Sequence, residues 1–189
     1  MSALVLVAEA SVTSSTTYVS LTGFSDSYYT YKVIGSGIKQ GTLGNLTFRF
    51  LDADSGTAGL STSHYDFAGR QFKSTGGDVF AGSENQTHPQ FSPAMGNSGS
   101  VYNTNFDMTI HNVRGTRDNY NWGQFTMNET SWRHGDYLTG SFGGCQYSIS
   151  SNASDRYTGI VFMSDTGSAT IDSGEFKMYG YAISWCFVW

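Results

Sequence analysis

Apolar and polar residues alternate one by one along much of this chain, and the spacing typical of an amphipathic helix does not occur. In a strand of this kind one face packs in a core, as Leu46, Phe48 and Phe50 are expected to do. The alternation recurs in residues 4–9, 18–21, 29–33, 46–51, 106–111, 125–128, 157–163 and 174–183. We therefore predict about eight to ten short strands.

Clusters of Gly, Asp and Ser stand between these segments and predict turns. We place turns at residues 35–37, 54–56, 76–78, 143–144 and 172–174. Residues 81–104 are irregular, contain both prolines, and are interpreted as a long exposed loop. Short strands without a helix predict an all-β fold, namely an antiparallel β-sandwich or jelly roll, in a single domain spanning residues 1–189.

Composition supports a folded β domain and excludes several classes of partner. Aromatic residues make up 15% of the chain and charged residues only 13%, which is unlike a disordered protein. The net charge is −5 and no cluster of Lys or Arg is present, so we expect no nucleic-acid partner. No apolar run of about 20 residues predicts a membrane span. Residues 1–10 lack the basic start of a signal peptide and are interpreted as the first strand.

Residue spacing does not support a metal site, a cofactor or a catalytic group. Residues 52–56 (Asp-Ala-Asp-Ser-Gly) resemble the start of a calcium loop, but Ser63 stands where the closing carboxylate is needed, so a turn is favoured. The histidines and the two cysteines, Cys145 and Cys186, lack ligand-like spacing, and buried free thiols are favoured over a disulfide. No GxSxG motif is present. We expect no metal, no cofactor and no enzymatic activity.

Two groups of aromatic residues are candidates for contacts with a partner. Tyr120, Trp122 and Trp132 lie in polar, Gly-rich segments and could stack on sugar rings, or fill the core or a subunit contact. An apolar C-terminal extension covers about residues 181–189. It carries the aromatic subunit-contact candidates Trp185, Phe187 and Trp189 on one face of an extended strand. This extension either closes the core of its own domain or docks on a neighbouring subunit.

Several short motifs follow one another in a set order. An apolar strand at residues 4–8 precedes Val-Ser-Leu-Thr-Gly-Phe at 19–24 and Tyr-Tyr-Thr-Tyr-Lys-Val at 28–33. Next come Leu-Thr-Phe-Arg-Phe at 46–50 and Tyr-Asp-Phe-Ala-Gly at 65–69, and Ser-Gly-Glu-Phe-Lys-Met-Tyr-Gly at 173–180 ends the set. In these motifs and in its length the chain resembles small virion structural proteins of tailed bacteriophages. Residues 76–105 and the extension at 181–189 lie outside the resemblance.

The resemblance implies a β-sandwich on the virion, assembled in the cytoplasm of the bacterial host. Because the chain is one small domain, we expect a capsid decoration or cement protein that contacts the major capsid protein or other virion proteins. Proteins of this kind commonly act as homo-oligomers, so a trimer is expected. The alternative is a tail fibre or baseplate protein that binds host-surface carbohydrate. The resemblance implies no catalytic residues and leaves head and tail open.

Overall fold

The computed structural model describes residues 3–41, 46–53, 55–61, 63–73, 78–89, 104–111, 116–117, 120–133, 137–149, 157–166 and 169–182. These residues form strands and no helix, and thus no helix that could cross a membrane. The strands are β1 (Ala3–Val12), β2 (Val19–Thr22), β3 (Thr30–Gln40), β4 (Leu46–Leu51), β5 (Tyr65–Lys73), β6 (Asp78–Gln86), β7 (Thr104–His111), β8 (Thr116–Arg117), β9 (Tyr120–Arg133), β10 (Tyr137–Ile149), β11 (Gly159–Ser164) and β12 (Ile171–Ala182).

The strands form two antiparallel sheets. The large sheet has nine strands in the order β1-β12-β3-β7-β9-β10-β5-β6, with β8 paired to β9. The small sheet has the order β2-β11-β4. The predicted all-β antiparallel fold is therefore confirmed, whereas the jelly-roll form of that expectation stays a prediction. Several strands are longer than expected, and β9 reaches 14 residues.

One core lies between the sheets and is built largely from aromatic rings. Phe162 of β11 lies with its ring centroid 5.2 Å from Phe106 of β7 and 5.1 Å from Phe176 of β12. Phe50 of β4 contacts Tyr147 of β10 at 6.0 Å between centroids. All five side chains are buried, as strand alternation predicts for the inward faces of a sandwich.

Three of the predicted glycine turns are wrong, because the residues lie inside strands. Residues 143–144 lie within β10, residues 35–37 within β3, and residues 172–174 within β12. The strand register breaks at residues 35–38 and at residues 171–175, so the small residues in these two segments form β-bulges. A Cβ on Gly143 would lie 2.8 Å from the Ala68 oxygen, so this glycine permits close approach of β5 and β10.

The long loop predicted at residues 81–104 is wrong over its first part, because β6 continues to Gln86. Its middle, residues 90–103, lies outside the described residues, and so does most of the turn at 76–78. The turn near residue 55 is confirmed: the Ser55 N–H donates to Asp52 Oδ1 at 2.6 Å. Tyr181 and Ala182 belong to β12 rather than to an extension beyond the sheet, since they pair with β1.

Candidate functional site

The two outer faces of the sandwich differ in what covers them. On the small sheet, Val161 and Met163 point away from the core yet are buried. The chain itself covers this face, since Arg49 Nε donates to the Thr87 oxygen at 3.0 Å and Thr47 Oγ1 donates to the Pro89 oxygen. The outer face of the large sheet instead carries exposed apolar side chains. A partner surface is therefore to be sought on the large sheet.

The first feature of that sheet is an exposed apolar edge. Strand β1 pairs with β12 on one side and forms the edge of the sheet on the other. Leu4, Val5 and Leu6 are 50%, 39% and 48% exposed, and together they are called the edge patch below. Leu4 and Leu6 pair with Tyr181 and Tyr179 on the outer face. Among the strands that the structure describes, β1 pairs with β12 alone, so the edge patch places exposed apolar side chains along a strand edge.

The second feature is a cavity of about 760 Å³ at the opposite end of the same sheet, called the polar trough below. It is lined by residues 66–68, 82–84, His111 and residues 144–146. The register connects three of its polar side chains in one row across the sheet: His111 pairs with Gln124, Gln124 with Gln146, and Gln146 with Asp66. Paired residues share a face, so His111, Gln146 and Asp66 lie on the outer side.

Hydrogen bonds orient the polar groups of the trough. Gln146 Nε2 donates to Asp66 Oδ2 at 3.2 Å, and the backbone N–H of Asn85 donates to Asp66 Oδ1 at 2.8 Å. At the other end of the row His111 Nδ1 lies 3.2 Å from Thr30 Oγ1. Asp66 is therefore held by contacts on both oxygens, and it fixes the amide of Gln146 in turn.

Two exposed aromatic rings stand next to the trough on the same face. Phe142 of β10 and Phe72 of β5 are 48% and 40% exposed, with ring centroids 5.5 Å apart. The guanidinium carbon of Arg70 lies 5.4 Å from the centroid of Phe72. Such exposure is unusual for neighbouring phenylalanines, which gain more from burial. The pair forms an apolar platform bordering the polar row.

An ion pair separates the edge patch from the trough. Lys32 Nζ lies 2.6 Å from Asp107 Oδ2, and both side chains are partly exposed. The hydrogen bond to Asp107 raises the pKa of Lys32, against a smaller opposing effect of burial. An exposed pair of this kind contributes little to stability. It divides the outer face into an apolar end and a polar end.

The described residues offer little for catalysis or metal binding. Burial raises the pKa of the Cys145 thiol, which borders the trough from the core side, so it stays protonated and is a poor nucleophile. Within the described ranges no group of three or more His, Cys, Asp or Glu residues is arranged to hold a metal ion. Asp52 and Ser55 are joined by hydrogen bonds typical of a turn. What this face offers is hydrogen-bonding groups and apolar surface.

The aromatic residues predicted as carbohydrate contacts belong to β9. The register pairs Trp122 with Ser148, Trp132 with Leu138, and Tyr120 with Arg117. Trp122 thus stands two positions before Gln124 on the strand that crosses the polar row. The predicted subunit-contact residues Trp185, Phe187 and Trp189 lie outside the described residues.

Reasoning from the sequence missed both the trough and the exposed edge. A signal for the edge was present, because residues 4–7 (Leu-Val-Leu-Val) are apolar on both faces of a strand and lack a charge. The trough had no local signal, since its residues come from four strands. Comparison of the chain with protein-family models and with curated proteins finds no match in either.

Proposed function

We propose that this chain is a bacteriophage virion structural protein, a capsid decoration or cement protein that acts through subunit contacts. The observation that carries the proposal is the edge patch, an apolar edge strand on a low-charge β-sandwich. The order of motifs that resembles phage structural proteins supports the same assignment. A rigid antiparallel scaffold suits a protein that must repeat one contact many times on a shell.

Strand β1 is built to accept another strand. Edge strands of monomeric proteins are usually blocked by Pro, by Lys, by inward charges or by a β-bulge. Of these, residues 3–8 contain only the break in register between Leu6 and Ala8. The opposite edge of the sheet, β6, carries Glu84 and Asn85, which are exposed and polar. The edge at β1 is therefore apolar and the edge at β6 is polar, and β1 is the edge that favours association by strand addition.

The occupant we propose for β1 is a second copy of the chain. In antiparallel pairing centred on Leu6, the Val5 of one copy meets the Val7 of the other, and Leu4 meets Ala8. Glu9 is the one charged residue of β1. The two Glu9 residues then lie roughly 20 Å apart along the strands, well beyond a Debye length of about 8 Å. The apolar segment is thus self-complementary without a charge penalty.

Strand β12 ends beside this edge. Ala182, the last residue of β12, pairs with Ala3 at the start of β1. Trp185, Phe187 and Trp189 follow Ala182 by three, five and seven positions in the sequence. We propose that the extension and β1 contribute to the same region of subunit contact, with the next copy or with the major capsid protein.

Two oligomeric states follow from two ways of using β1. Pairing of β1 with β1 is two-fold and gives a dimer, whereas the expected trimer needs β1 to meet a different surface of the next copy. Light scattering on the purified protein separates the two by mass. Either state satisfies the proposal, and a chain that stays monomeric at all concentrations contradicts its self-association.

Reconstitution tests the cementing function. Purified protein is added to phage heads that lack it, and the temperature at which they release DNA is measured. A cement protein binds to saturation and raises that temperature, because it binds only the assembled shell. Matched heads incubated with a β1 variant carrying Leu4→Lys and Leu6→Lys serve as the control. Absence of binding by the unmodified protein contradicts the proposal.

A second candidate is a tail fibre or baseplate protein that binds host-surface carbohydrate. One observation favours it, namely the polar trough with its neighbouring phenylalanines. Labelling of the tail by an antibody, together with binding to host envelope polysaccharide, supports this candidate over decoration. Label on the head alone counts against it.

A further inference from the structure

We infer that the polar trough binds a neutral polysaccharide chain lying across strands β7, β9, β10, β5 and β6. This inference is independent of the position of the protein on the virion and of the contacts made by β1. It differs from the carbohydrate site expected from the sequence, because its contacts come from Asp66, His111, Gln146 and Phe142 rather than from β9 aromatics alone.

The shape of the trough suits an extended chain. Five adjacent strands are spaced by about 4.8 Å each, so the row from β7 to β6 extends over roughly 19 Å. Where β10, β5 and β6 meet, the row of outward positions consists of Gly144, Ala68 and Gly82, paired in register. These small residues keep the floor low, so a ligand can approach the sheet between the polar row and the phenylalanines.

The polar row is preorganised for hydroxyl groups. Because Asp66 already accepts hydrogen bonds on both oxygens, the amide of Gln146 is held in one orientation by its bond to Asp66. Its carbonyl can accept a hydrogen bond from a ligand hydroxyl. His111 is exposed two strands away, at about 10 Å across the sheet. Groups that hydrogen bonds already hold in place bind a ligand with little loss of side-chain entropy.

The aromatic pair completes a surface with the chemistry of a sugar binder. A pyranose ring has an apolar face of C–H groups and a rim of hydroxyls. The exposed ring of Phe142, two residues before Gly144 on β10, can contact the apolar face of a sugar. Gln146 and His111 can contact its hydroxyl groups. A purely apolar ligand would cover the side-chain carbonyl of Gln146 without offering it a hydrogen-bond donor, and that loss disfavours such a ligand.

Charge selects among polysaccharides. The carboxylates of Asp66 and Glu84 line the trough, one guanidinium (Arg70) lies beside it at Phe72, and the net charge of the chain is −5. Anionic polymers such as uronate-rich or sulfated glycans would bring like charges together at this site. A neutral chain avoids that repulsion, so neutral polysaccharide is the class of ligand we infer.

The test measures retardation of the protein in native gels that contain a defined polysaccharide. The probes are neutral polymers (an α-glucan, a β-glucan, a xylan and a galactomannan) and one anionic polymer, alginate. We expect at least one neutral polymer to retard the protein and alginate not to retard it. Titration calorimetry with an oligosaccharide of the binding polymer then gives the affinity.

Two variants locate the site, and a third is a matched control. Phe142→Ala removes an exposed ring, and Gln146→Ala removes the oriented amide; each is expected to lower affinity at least tenfold. Ile34→Ala truncates a 36%-exposed side chain of β3 on the same face, outside the trough, and is expected to leave affinity unchanged. Thermal unfolding of each variant is measured to check that all three fold.

Three results overturn the inference: no retardation by any neutral polymer, preferential binding of alginate, or unchanged affinity in both trough variants. Because each of these concerns the trough alone, none of them removes the proposed role in decoration. Conversely, failure of the protein to bind phage heads leaves the carbohydrate site standing if the trough variants lose affinity as expected.

Discussion

The hydroxyl of Tyr65 on β5 accepts a hydrogen bond from the backbone N–H of Phe50 on β4 at 2.9 Å, and so joins the large sheet to the small one. The same hydroxyl donates to the Leu60 oxygen at 3.3 Å, and the rings of Tyr65 and Phe50 stack with an interplanar angle of 15°. Tyr65 is fully buried. This contact fixes how the sheets sit on each other below the polar trough.

Replacement of Tyr65 by Phe should lower the free energy of unfolding by about 1–3 kcal/mol, because the buried N–H of Phe50 loses its acceptor while the ring is kept. The shift in the urea midpoint measures this loss. Tyr29→Phe is the matched control, since Tyr29 is 58% exposed and its replacement should change stability little. Equal effects of the two substitutions would show that the hydroxyl of Tyr65 is unimportant.

Two glycines between β4 and β5 allow the cost of backbone strain to be measured apart from the cost of steric overlap. Gly56 and Gly59 have φ angles of +62° and +69°, in the left-handed region. A Cβ on Gly56 would meet nothing within 4 Å, whereas a Cβ on Gly59 would lie 2.7 Å from Val161 Cγ1 and 2.8 Å from Arg49 Cβ. An alanine at either position would thus bear similar backbone strain, but only position 59 lies in tight packing.

Gly56→Ala should therefore cost about 1 kcal/mol of stability, and Gly59→Ala roughly 1–3 kcal/mol more because of overpacking against the small sheet. Urea unfolding of both variants checks the difference. Equal losses would mean that the turn at residues 57–60 shifts easily to admit a Cβ at position 59.

Stability should fall at alkaline pH because of buried acidic groups. Burial raises the pKa of Tyr65, Tyr157 and Cys145 in the folded chain. The unfolded chain loses these protons at ordinary values, about 8.5 for Cys and 10 for Tyr, so the unfolded state gains charge first. The contribution is complete below those values and is lost as pH rises above them.

Urea midpoints should be measured between about pH 7 and pH 11, a range that includes the ordinary pKa values of Cys and Tyr. The midpoints should stay level and then decline above about pH 9. Alkylation of Cys145, followed by mass spectrometry of its peptide, should be slow in the native protein at pH 8 and fast in urea. A level midpoint throughout, or fast native alkylation, would contradict the burial of these groups.

Charges on the edge patch should prevent self-association. Lys at positions 4 and 6 places like charges opposite the partner strand and blocks the edge, as natural edge strands do. We expect Leu4→Lys with Leu6→Lys to be monomeric by light scattering at concentrations where the unmodified chain associates. Ser11→Lys adds one positive charge at an exposed position farther along β1, and this variant should associate normally. Association of the double variant would exclude β1 as the contact.

Strand positions could be predicted where the signal is local. Leu46, Phe48 and Phe50 alternate because a single strand places them all in the core, and β4 follows directly from them. Glycines at residues 143–144 predict a turn, but they lie within β10, where the lack of a side chain lets β5 approach closely. Gly143 pairs with Gly69, and that relation is set by the fold and not by neighbouring residues.

The candidate site could not be predicted from local sequence patterns, for the same reason. Asp66, His111 and Gln146 come from three strands, and only the register of β5, β7, β9 and β10 places them in one row. Each side chain alone is typical of a solvent-facing strand position. The edge patch differs, because unbroken apolar residues at 4–7 already mark a strand without a polar face.

The central proposal, that this chain decorates a virion head, is tested most directly by locating it on purified phage particles. A gold-labelled antibody raised against the purified chain is imaged on these particles by electron microscopy. Decoration predicts label spread over the head surface, at many sites per particle. Label confined to the tail, or absence of label from intact particles, would contradict it.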